Sequence, residues 1–94
     1  MANKRNLKQD IKEVLYDVVE EAYSFMLYHP AVQDEKVEAI IDDAADLMDT
    51  LLFRVNNTPA SKSRKDIKEH FKLIKEELVK ETYELQVRVN QLTA

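Results

Sequence analysis

The sequence predicts an all-α protein, an antiparallel up-down-up three-helix bundle with a long C-terminal helix. Three observations predict it. The 94 residues include no glycine and two prolines. The vocabulary is rich in Leu, Lys, Glu, Ala and Val, which favour helices. Apolar residues recur at steps of three and four, which places them on one face of a helix. Tight hairpins usually need glycine, so a β architecture is disfavoured.

The first helix is expected over about residues 6–28, with Leu7, Ile11, Val14, Val18, Ala22 and Phe25 on its core face. It ends at "HPAVQD", where Pro30 cannot continue it and Asp34 can cap the next helix. The second helix, about 34–55, carries Val37, Ile41, Ala44, Met48, Leu51 and Val55, with Ile40 and Leu47 beside them. In "NNTPASKS", Asn56 or Asn57 can take the left-handed cap that glycine usually fills. Ser63 and Asp66 then resemble a capping box. The third helix, about 63–92, carries Ile67, Phe71, Ile74, Leu78, Thr82, Leu85, Val89 and Leu92. Short connections make neighbours antiparallel. The whole of 1–94 reads as a single domain.

Composition also excludes function classes. A P-loop and a dinucleotide fingerprint both need glycine for close approach to phosphate. The lack of cysteine removes disulfides, cysteine zinc sites and cysteine nucleophiles. No apolar run reaches the roughly 18 residues of a spanning helix, and "MANKRNLKQD" has no apolar signal core. The expected location is the cytoplasm, with no membrane partner.

The stretch "IIDDAADLMDTLL" contains Asp42, Asp43 and Asp46 in a D-D-x-x-D pattern, which some enzymes use to hold magnesium against a diphosphate. Each residue advances about 100° round a helix. Glu35, Glu38, Asp42, Asp46 and Asp49 therefore fall opposite the core face, a second such motif is missing, and the row reads as a solvated acidic face. Neither His29 nor His70 has a glutamate three residues before it, so the di-iron pattern of helical bundles is missing too. No serine sits in an S-x-x-K or G-x-S-x-G setting. His29 reads as a partner of a helix C-terminus, and His70 as a bundle-edge residue. The chain is expected to have no catalytic, cofactor-binding or metal site, no small-molecule substrate and no enzymatic activity.

Two surfaces remain unexplained by folding. Val79, Tyr83 and Val87 run at four-residue spacing away from the core face of helix 3, with Leu73 at their flank. Helix 1 has a comparable extension in Leu15, Val19, Tyr23 and Met26. Surplus apolar stripes point to self-association or a helical partner. The expected interface is Val79, Tyr83, Val87, Leu73, Val19 and Tyr23, in a homodimer or with another helical protein. Separately, the up-down-up order gathers Lys4, Arg5, Lys8, Arg54, Lys62, Arg64, Lys65 and Lys68 at one pole. Cations at helix N-termini oppose the macrodipole, so helix stability does not explain them. Binding of nucleic acid or another polyanion is the alternative function.

"KRNLKQDI", the Arg54-Val55 pair and "HFKLIKEEL" (His70 to Leu78) resemble motifs in a group of small uncharacterised helical proteins from anaerobic gut-type bacteria. The resemblance implies a bacterial cytoplasmic helical protein and no particular chemistry. The chain departs from that group at "NNTPASKS", a connection where its members tend to carry glycine.

Overall fold

The computed structural model describes residues 4–29, 34–57 and 63–92. It contains three helices, α1 (Lys4–Tyr28), α2 (Asp34–Asn56) and α3 (Arg64–Gln91), and each packs on the other two. The molecule is elongated, 53 × 20 × 17 Å. α3 has 28 residues, which is about 42 Å of helix.

Polar contacts between helices fix their directions. Arg88 reaches Asp43 while His70 reaches the carbonyl of Arg54. Late α3 therefore lies beside early α2, and early α3 beside late α2, so the two are antiparallel. Gln86 of α3 donates to Glu21 of α1, and Val89 and Asn90 share a cleft with Phe25 and Tyr28. The C-terminal ends of α1 and α3 thus lie together, and the order is up-down-up.

The core is a single apolar column. Leu7, Ile11, Leu15, Val18 and Ala22 come from α1, and Val37, Ile40, Ala44, Leu51 and Val55 from α2. α3 adds Ile74, Leu78, Leu85 and Val89. Burying each large aliphatic side chain stabilises the fold by about 1.5–3 kcal/mol. The longest helix thus adds the fewest buried side chains, and nothing before Ile74 on it is fully buried.

The core face is rotated slightly from the sequence expectation. Leu15, assigned to the outer extension of α1, is fully buried, while Val14 and Phe25 are half-buried. On α2, Ile40 is buried, and Ile41 and Met48 are half-buried. Leu15 lies about 40° from Ile11 and Val14 about 60° on the other side. A helix wedged between two neighbours buries the residue pointing between them. Ile67, Phe71 and Thr82 of α3, and Leu92 just past its end, are also only half-buried. The Thr82 hydroxyl oxygen is shielded from solvent without a hydrogen-bond partner.

The helix ends use side chains. The left-handed cap expected at Asn56 or Asn57 is replaced, since no described residue has positive φ. Asn57 instead donates twice to the Phe53 carbonyl, from its backbone at 3.0 Å and from Nδ2 at 2.7 Å. A side-chain amide thus satisfies a terminal carbonyl without the strain of φ > 0 in a residue with a Cβ. Ser63 has extended backbone geometry, and its Oγ accepts from the Asp66 N–H at 3.3 Å, an N-cap for α3. Asp34 is the first residue of α2. Pro30 lies outside the described residues.

Candidate functional site

The outer face of α3 is the strongest candidate. Val79 is 70% exposed, Tyr83 is 69% exposed and Leu73 is 48% exposed. Val87, the fourth member of the expected stripe, is half-buried. The core column of α3 runs through Ile74, Leu78, Leu85 and Val89, and Tyr83 lies nearly opposite it at 100° per residue. Helical register alone therefore keeps this ring out of the core. Around it stand Lys72, Glu76, Lys80 and Glu84, all exposed.

The α1 residues expected to share that interface face elsewhere. Glu21 bonds to Gln86, so the Glu21 side of α1 faces α3. Tyr23, two residues on, is turned about 200° from it. Val19 packs half-buried against the core. Tyr23 instead joins Tyr16 and Leu27, all exposed, in a separate patch. The structure does not bring the α1 and α3 stripes together. Phe53 of α2, also exposed, was not anticipated either. Its position nearly opposite Ala44 on the α2 wheel was the available signal.

The basic pole has the expected placement, because α1 and α3 begin at the same end. Lys4, Arg5, Arg64, Lys65 and Lys68 are exposed there, and Lys8 is half-buried. Arg54 is engaged by the Glu77 carboxylate, so its charge is neutralised locally. Lys62 lies outside the described residues. Glu35, Glu38, Asp42, Asp46 and Asp49 are all exposed on α2. Asp43 is drawn aside by Arg88, 2.6 Å away, which splits the D-D-x-x-D motif between two directions. Among the described residues, no group of three or more His, Asp or Glu could hold a metal ion.

Both histidines make contacts within the fold. His70 Nε2 lies 2.9 Å from the Arg54 carbonyl oxygen, and the His29 ring stacks on Phe25 with centroids 4.3 Å apart. The open cleft between the C-terminal ends of α1 and α3 is lined by Glu21, Ser24, Phe25, Tyr28, His29, Val89 and Asn90. A smaller groove between α2 and α3 is lined by Asp43, Leu47, Glu81, Glu84, Leu85 and Arg88. No helix among the described residues is long and apolar enough to cross a membrane. Comparison with family models, curated proteins and solved structures gives no match.

Proposed function

We propose that this bundle is a non-enzymatic protein-interaction module of the cytoplasm that pairs with a second copy of itself through the outer face of α3. The observation that carries the reading is the exposure of Val79 and Tyr83 at the middle of α3. Covering apolar surface contributes roughly 25 cal/mol per Å². A twofold axis through α3 covers the same patch on both chains at once. The exposed α1 patch of Tyr16, Tyr23 and Leu27 faces another direction and serves a further contact. Sedimentation tests the reading. The native chain is expected to form a dimer at micromolar concentration, and Tyr83→Glu to shift it to monomer with unchanged helicity. A native species of 11.0 kDa throughout that range overturns it.

A second reading rests on a different observation. α1 and α3 present both N-terminal ends, with Lys4, Arg5, Arg64, Lys65 and Lys68 exposed, at one pole. That arrangement suits non-specific binding of nucleic acid or another polyanion. No aromatic ring is interleaved among these cations for base stacking. Binding would fall steeply with salt. Changing Arg5, Lys8, Arg64 and Lys65 to Glu is expected to abolish it, and retained binding sinks this reading.

A further inference from the structure

We propose that two copies pair through α3 in antiparallel orientation about Leu78, with Glu76 of each chain facing Lys80 of the other. The proposal rests on the self-association reading and specifies its register. Lys72, Glu76, Lys80 and Glu84 form a row of alternating charge at four-residue spacing, and all four are exposed. Each step of four turns only about 40°, so the row winds slowly across the outer face. The ion pairs of the described residues are Arg54–Glu77 and Arg88–Asp43, and the row takes part in neither. Among the described residues, none of its four charges has an ion-pair partner.

The order of signs determines which pairing is attractive. In an antiparallel pair about Leu78, each residue meets the one equally far on the other side. Glu76 then meets Lys80, since the two lie only about 40° apart round the helix and both stay near the contact line. In a parallel pair, Glu76 would meet Glu76 and Lys80 would meet Lys80. The row is thus self-complementary in one orientation and self-repelling in the other, and this fixes orientation more than it adds affinity. The apolar residues agree with the same register. Leu73 and Tyr83 are equally far from Leu78, so each ring packs on the leucine of the second copy. The two Val79 side chains come close beside the axis. Glu77 next to the axis is already held by Arg54, which keeps it from competing for Lys80.

The experiment is a charge exchange read by sedimentation. Glu76→Lys alone and Lys80→Glu alone are each expected to weaken the homodimer about tenfold or more, since both symmetric pairs become repulsive. Mixing the two single variants restores opposite charges across the interface, so the mixture is expected within about threefold of the native affinity. The double variant Glu76→Lys/Lys80→Glu is expected to behave likewise. These positions are solvent-exposed, and circular dichroism checks that each variant keeps its helicity. Single variants that dimerise like the native chain overturn the register while leaving pairing through α3 in place. A mixture at least tenfold tighter than the native dimer marks a parallel pair and also overturns it. A native monomer overturns both the register and the reading beneath it.

Discussion

His70 donates from Nε2 to the backbone carbonyl of Arg54, 2.9 Å away, while the guanidinium of that arginine turns back to Glu77 on the same helix as the histidine. One α2 residue is thus held twice by α3, once through its backbone and once through its side chain. The carbonyl belongs to the last turn of α2, whose last four carbonyls have no partner within the helix. The contact ties the end of α2 to the part of α3 that has no fully buried side chain. His70→Ala is expected to cost about 1 kcal/mol, the usual net value of such a hydrogen bond. For a domain of this size that lowers Tm by about 4–8 °C. Thermal melts followed by circular dichroism check it, and an unchanged Tm would show the contact to be energetically idle.

Thr82 offers the opposite case. Its Oγ1 is shielded from water with no hydrogen-bond partner, which costs about 1–3 kcal/mol. Thr82→Val keeps the shape and removes the orphan hydroxyl. The variant is expected to be more stable by about 1 kcal/mol. Urea denaturation reads this as a raised midpoint with an unchanged slope. A lowered midpoint would mean that the hydroxyl finds a partner in solution, such as the carbonyl one turn back.

Core and surface valines and leucines should separate cleanly. Leu15→Ala removes a fully buried side chain, so a loss of about 2–5 kcal/mol is expected. Val79→Ala, at a site 70% exposed, is expected to change monomer stability by less than about 0.5 kcal/mol. Measuring both by denaturation at high dilution makes the comparison. Equal costs would mean that Val79 is covered within its own chain.

The acidic face of α2 should respond to salt and to charge reversal. Glu38, Asp42 and Asp46 stand at four-residue spacing, where like charges destabilise a helix by a few tenths of a kcal/mol per pair. Asp42→Lys is expected to stabilise by about 0.5–1 kcal/mol, by turning two repulsive neighbours into attractive ones. Magnesium titrated to the native chain is expected to raise Tm by no more than about 2–3 °C, as weak screening would. Calorimetry showing a site tighter than about 100 µM would restore a metal role to Asp42 and Asp46.

How much of this was legible beforehand depended on the kind of signal. The helices were readable because apolar spacing of three and four persists through each segment, and their observed ends lie within two residues of those expected. The exposed position of Val79 and Tyr83 followed from the same arithmetic. The burial of Leu15 in place of Val14 did not, because a broad apolar stripe fits several rotations and only the neighbours choose among them. The sequence offers Asn56 or Asn57 equally for a left-handed cap and does not foresee the Asn57 side-chain cap, since a side-chain amide competes with a left-handed backbone for the same carbonyl. The separation of the α1 and α3 stripes depended on which side of α1 receives α3. That is a tertiary fact with no trace in either helix alone.

The crowding of lysines and arginines where α1 and α3 begin has a physical consequence that needs no contact at all. Two of the three helices point their positive ends at that pole, and one opposes them, so one uncompensated helix dipole adds to the side-chain charges. The net charge of −4 conceals this polarity. A single bundle would therefore carry a large permanent electric moment along its 53 Å axis. Two bundles laid head against tail cancel that moment along the axis, leaving a quadrupole whose field dies away faster with distance. Dielectric relaxation would register assembly as the disappearance of an axial moment, independently of any change in mass.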